Sequence, residues 1–169
     1  AQDDASAWVA WTRANHFPIA SIVARPGDDF ADLQFLRRVI AERRLVQLGE
    51  SGHGVAEFNS AKVRLIQFLH QQMGFDVIAF ESSLFECFIA NTHGGTGAQM
   101  LQASIFGVWA TEEVAPLFDY IQRTQATDRL LVLAGFDLQF SGLAMMGRPA
   151  FFHRIVSANS PPATSTCSI

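Results

Sequence analysis

Glu50 and His53 stand three residues apart in Leu45-Val46-Gln47-Leu48-Gly49-Glu50-Ser51-Gly52-His53-Gly54, where an apolar run breaks into a glycine-rich turn. A carboxylate beside an imidazole can form a general base. Free imidazole titrates at about 6.5, so it needs little adjustment to take a proton from water near neutrality. Two further acids follow apolar runs in the same way, Glu81 after Ala79-Phe80 and Asp137 after Gly135-Phe136. If the three runs are parallel neighbours in one sheet, all three acids lie past carboxyl ends of strands, where open α/β sheets bind ligands. A helix starting near Ala56 would aim its unpaired backbone N–H groups at the same edge.

Lys62 bears on the same cluster. At about 100° per residue, Phe58, Leu65, Ile66, Leu69 and Met73 fall on one helical face, with Lys62 near its middle. A buried ammonium without a partner is too costly to persist, so Lys62 is expected to reach towards Glu50 and Glu81 or to snorkel to water. Arg64 falls on the opposite side and is expected to face solvent.

Blander readings stand beside these. An acid after a strand also serves as a turn former or helix cap, and for Asp137 alone that reading is as good as a functional one. Glu57 suits the first turn of a helix, where the dipole favours an anion. His16, His70, His93 and His153 lack a comparable setting. Ser51 and Ser60 are outside any G-x-S-x-G elbow, and the chain has no P-loop or G-x-G-x-x-G element. Glu50, His53 and Glu57 do not make an H-E-x-x-H pair; no cofactor is expected, with a divalent metal at Glu50 and His53 left as the open alternative.

The elements that must hold these residues alternate. Helical patterns are expected over 3–15, ended by Pro18, and after the turn at Pro26-Gly27-Asp28-Asp29, where Leu33, Leu36 and Ile40 recur up to Arg43 and Arg44. Strands are expected over 45–49, 77–80 and 130–134, and helices over 56–73 and 112–125; Gly74 stops the former, and a loop at His93-Gly94-Gly95-Thr96-Gly97 parts two weaker helical stretches. The fold class this implies is α/β, a three-layer arrangement with a mostly parallel central sheet flanked by helices, and an incomplete one, since three strands are few. Residues 1–29 form a helical lead-in, 30–142 the core, and 143–169 an irregular tail too poor in apolar pattern to order itself.

The whole chain of 169 residues fits one domain, and 49% apolar content suffices for a core. A net charge of -4 with scattered basic residues gives no footprint for nucleic acid or an anionic membrane. Cys87 and Cys167 make neither a disulfide framework nor a metal spacing. No apolar run approaches the roughly 18 residues that span a bilayer. The start Ala1-Gln2-Asp3-Asp4 suits the end left by signal-peptide cleavage, which favours a periplasmic or secreted location over a cytoplasmic one.

With these residues in place, the chain resembles the amino-terminal part of the erythromycin esterase family, whose members carry a strand followed by a G-E-x-x-H turn. Here that is Gly49-Glu50-Ser51-Gly52-His53. The likeness continues through Glu57-Phe58, through Lys62 where many relatives have arginine, through Gly74-Phe75-Asp76-Val77-Ile78-Ala79-Phe80-Glu81, and through Gly135-Phe136-Asp137-Leu138-Gln139. It spans residues 30–142.

The resemblance implies a hydrolase in which His53 acts as general base on water, Glu50 and Glu81 assist, and Lys62 orders the carboxylates or stabilises developing negative charge. Asp137 is assigned to substrate binding. The implied partner is a small-molecule ester or lactone, a macrolide in the activity that gives antibiotic resistance, with no nucleic acid or membrane; nothing sets an oligomeric state. Full members are more than twice as long and bring a further active-site histidine that His153 does not match, so the chain reads as truncated and inactivity is one expectation. A non-catalytic module holding a metal or haem-like ligand through His53 and a gene remnant without function are the alternatives.

Overall fold

A computed structural model describes the backbone of residues 2–139 and the side chains of 5–139. The expected tail over 143–169, with His153 and Cys167, lies outside the described residues. Helix α1 (Gln2–Ala14) leads in, with Trp8 and Trp11 exposed on it. The helix expected to run through Leu33, Leu36 and Ile40 is split into a 3-10 turn (Ala31–Leu33) and the short α2 (Leu36–Ile40). Phe30 and Ala41, at φ 53° and 47°, bracket it in conformations that a helix cannot continue through. The apolar periodicity still does its work, because Leu33 is buried and Leu36 and Ile40 pack beside it.

Helix α3 (Ala56–Met73) is the spine of the molecule and has the span expected of it. It stops where Gly74 turns left-handed at φ 80°, and the amide of Phe75 donates back to Leu69 O at 3.2 Å. Its buried face feeds two apolar cores. Val63 and Ile66 join one with Leu117, Phe118, Ile121 and Leu133, while Phe68 and Leu69 join the other with Phe30 and Leu33. Each fully buried side chain of this size contributes on the order of 1.5–3 kcal/mol, so α3 cannot move without opening both.

Strand β1 (Val77–Ser83) pairs in parallel with β2 (Val132–Asp137), from Val77 opposite Val132 to Phe80 opposite Gly135. Three helices, α4 (Leu84–His93), α5 (Gly97–Ser104) and α6 (Ala115–Thr124), make the crossover that parallel strands require. The result is a mixed α/β fold with six helices and a two-stranded parallel sheet among the described residues. Register breaks between Phe80 and Ser83, opposite Gly135. A Cβ on Gly135 would lie 2.6 Å from Ser83 O, so the close approach of the two backbones demands glycine there.

Three expectations change. Residues 45–49 form no ladder with any described strand; Val46 and Leu48 are held by packing into the two cores instead. An apolar alternation can seat side chains without supplying a hydrogen-bonding neighbour. Glu81 lies inside β1 at the register break and not past the strand's end, and Asp137 is the last residue of β2.

The third correction is Arg64, which is 4% exposed and not solvent-facing. Its Nε and Nη2 donate to Asp28 at 2.7 and 3.1 Å, Nη1 and Nη2 donate to Asp32 at 2.9 and 2.6 Å, and Nη1 donates to Ser21 O at 2.5 Å. All five guanidinium N–H groups are used. They tie the segment around residues 20–33 onto α3. No helix among the described residues is long and apolar enough to cross a membrane.

Candidate active site

Glu50 ends the segment that packs between the two cores, and its side chain is only 9% exposed. The Nδ1 of His53 donates to Glu50 Oε1 at 2.6 Å, and the ammonium of Lys62, from the first half of α3, donates to Oε2. Lys62 holds the Glu50 carboxyl below the usual carboxylate range; burial opposes this and the bond from His53 adds to it. An ionised carboxylate can only accept, so Nδ1 carries a proton, and in the neutral imidazole Nε2 is then the nitrogen with the lone pair. His53 itself is open to solvent, its side chain 62% exposed on the turn that Gly54 closes at φ 74°.

Trp109 completes the cluster. Its ring meets that of His53 nearly perpendicularly, with centroids 5.0 Å apart, and the Lys62 ammonium sits 5.1 Å from its centre. The indole Nε1 donates to Glu81 O at 3.1 Å. Two buried polar groups fix the loop that carries it. Ser82 Oγ accepts from the Phe106 amide at 3.0 Å, and Asn59 Nδ2 on α3 donates to Thr111 Oγ1 at 3.2 Å. The irregularity in β1 thus has a use, since Glu81 and Ser82 at that break hold the loop through a backbone carbonyl and a hydroxyl.

Glu50, His53, Lys62, Glu81 and Trp109 line a cavity of about 770 Å³ that opens between residues 44–50, α3 and β1. Its walls are apolar, with Val63, Ile66, Ile78 and Phe80 among them, and these five residues with Asn59 make up much of its polar lining. Glu81 lines this space, but its carboxylate makes no ion pair with Lys62 or with any other described residue. Lys62 therefore reaches Glu50 and not the pair of acids. Asp137 is not part of the cavity lining; its Oδ1 accepts from the Gln139 amide at 2.7 Å and shapes its own turn.

Among the described residues no group of three or more His, Cys, Asp and Glu is placed to hold a metal. Both Glu50 oxygens are engaged, so an ion shared by Glu50 and His53 would compete with the Nδ1–H bond at Oε1 or with the Lys62 ammonium at Oε2. Cys87 offers no nucleophile, because burial pushes its thiol up to about 12. What the arrangement can do is hold one imidazole nitrogen as a base at the mouth of an apolar cavity. Trp109 escaped the sequence reading. It sits in an irregular stretch, and its partners come from a turn, a helix and a strand more than 25 residues away, so no local pattern marks it.

A parallel strand–helix–strand frame with a carboxylate-oriented histidine at the edge of a cavity defines a mixed α/β protein whose site suits acid–base chemistry. The chain belongs to the erythromycin esterase family, whose model, described as erythromycin esterase, matches residues 70–164, more than half of it. That span contains Glu81, Trp109 and Asp137 and leaves out Glu50, His53 and Lys62. Over 110 residues the chain is 43% identical to a Bacillus subtilis (strain 168) protein named "Putative hydrolase YbfO", covering 64% of this chain and 25% of that protein. It is 27% identical over 135 residues to the Escherichia coli erythromycin esterase type II, covering 78% and 32%. The chain thus spans a quarter to a third of the length of these relatives. Its fold is similar to that of a solved succinoglycan biosynthesis protein, with a TM-score of 0.70 at 22% identity, over 89% of this chain and 38% of that one. A solved Bacillus cereus protein gives a TM-score of 0.68 at 23% identity over 89% and 36%.

Proposed function

We propose that this chain carries the water-activating part of an ester or lactone hydrolase. Glu50 fixes the imidazole of His53 through Nδ1, and Nε2 takes a proton from water as its oxygen attacks the carbonyl carbon. The tetrahedral adduct then breaks its bond to the alkoxide, which receives that proton from the imidazolium. Lys62 keeps Glu50 charged and oriented, and Glu81 supplies a second acid to the same cavity. Asp137 stands apart and takes no step. The substrate reading is a lactone of macrolide type, supported by the name of the Escherichia coli relative and by a cavity with largely apolar walls that Glu50, His53 and Lys62 also line.

The observation that carries this is the 2.6 Å bond between His53 Nδ1 and Glu50 Oε1, which leaves the other nitrogen unoccupied beside the cavity. Hydrolysis of a panel of simple esters, lactones and macrolides by the purified chain tests it, with His53→Ala and a chelator as controls. The expected result is turnover that falls about 10²- to 10⁴-fold in His53→Ala and persists in the chelator. Turnover equal in the variant would remove His53 from the reaction, and turnover lost to the chelator would give the water-activating role to a metal.

A further inference from the structure

We infer that Trp109 is a positioning residue, whose ring holds the imidazole of His53 and the ammonium of Lys62 in the arrangement that base catalysis needs. This rests on the hydrolase reading above. His53 has a solvent-open side chain and a single hydrogen bond, which fixes where Nδ1 sits but leaves the ring free to swing about that contact. The perpendicular contact with Trp109 at 5.0 Å removes that freedom. The ammonium over the indole, 5.1 Å from its centre, restrains Lys62 by a cation–π attraction, and Lys62 in turn fixes Glu50. One ring therefore touches both groups that engage the Glu50 carboxylate.

The indole is itself held from three sides. Its N–H is latched to Glu81 O, and its loop is tied to β1 through Ser82 and to α3 through Asn59, both of them at most 3% exposed. Such fixation is what separates a positioning side chain from one that merely borders a cavity. A ring held to the scaffold can impose its geometry on an exposed histidine, whereas a loose one would follow it.

Two measurements test this, one of them independent of turnover. The chain has three tryptophans, Trp8, Trp11 and Trp109. In a Trp8→Phe/Trp11→Phe background only Trp109 emits, and a protonated imidazole in contact with indole quenches its fluorescence. Emission should step down as pH falls, and the step should vanish on adding His53→Ala. A step unchanged by His53→Ala, or no step, would overturn the contact. In hydrolysis, Trp109→Ala should lower kcat about ten- to a hundredfold, the scale on which small misplacements act, with KM little changed, and Trp109→Phe should restore most of it because the ring remains. A rise in KM alone would make Trp109 a substrate wall and overturn the positioning role. A chain that hydrolyses nothing yet shows the His53-dependent step would refute the hydrolase reading while keeping the contact. In that chain, loss of the step in Trp109→Phe/Trp8→Phe, with Trp11 as the remaining emitter, would confirm its source in Trp109, and persistence there would refute it.

Discussion

Lys62 and Arg64 stand two residues apart on one helix, and each binds carboxylate from a preceding loop, yet the two clusters are built to opposite ends. Around Arg64 every donor is spent, two aspartates and a carbonyl close over the guanidinium, and the side chain is 5% exposed. Around Lys62 one carboxylate is shared between an ammonium and an imidazole, the imidazole is open, and a cavity lies beside it. Saturation makes a lock. Leaving one titratable nitrogen unspent at the edge of an apolar space makes a place where chemistry can occur.

The strongest way to break this comparison is Arg64→Leu, which leaves Asp28 and Asp32 without their cation. Removing one partner of a buried pair costs about 3–5 kcal/mol, so urea unfolding should shift by that much or the variant should fail to fold. A loss below about 1 kcal/mol would show that Arg64 is an ordinary surface contact. Acid should act on the same lock. Arg64 holds both aspartates below the usual range against the opposing effect of burial. Folded values depressed below the unfolded one of about 3.9 mean stability that is complete above that pH and drains away as pH falls through the folded values. The acid limb of a stability profile should therefore be shallower in Asp32→Asn than in the wild type; identical limbs would contradict the pairing.

Lys62→Met sharpens the contrast, because its cluster is open on the His53 side and Glu50 keeps a second partner when the ammonium is removed. Stability should fall by less than in Arg64→Leu, because Lys62 makes one bond to one carboxylate that His53 still holds, whereas Arg64 spends five donors on three partners, while hydrolysis falls by a larger factor through loss of Glu50 orientation. Equal stability losses for Lys62→Met and Arg64→Leu would erase the distinction. The smallest expected change is Asn59→Ala, which removes one neutral hydrogen bond to the Trp109 loop. About 1 kcal/mol of stability is at stake, read by thermal unfolding, with the emission of Trp109 reporting whether the loop has loosened.

Local pattern carried the parts of this protein that local physics determines. The span of α3 followed from its apolar stripe and from Gly74, and the pairing of Lys62 followed from a cation placed in that stripe. Arg64 was misplaced by the same reasoning. Its burial is created by Asp28 and Asp32, which arrive from more than 30 residues away and cover a face that the helix's own periodicity leaves polar. The segment 45–49 looked like a strand because its side chains alternate, but a strand also needs a neighbour. Glu81 was displaced from the strand's end by a register break that only the close approach of Gly135 reveals.

The central claim is that the nitrogen of His53 left free by Glu50 activates water. The most direct test is the pH dependence of kcat/KM for an ester that the chain hydrolyses, measured in the wild type and in His53→Ala. The account predicts a rate that rises with pH, because only the neutral imidazole takes a proton from water, and a residual rate in His53→Ala that lacks this rise. The same rise in both proteins would place the base elsewhere and contradict the account.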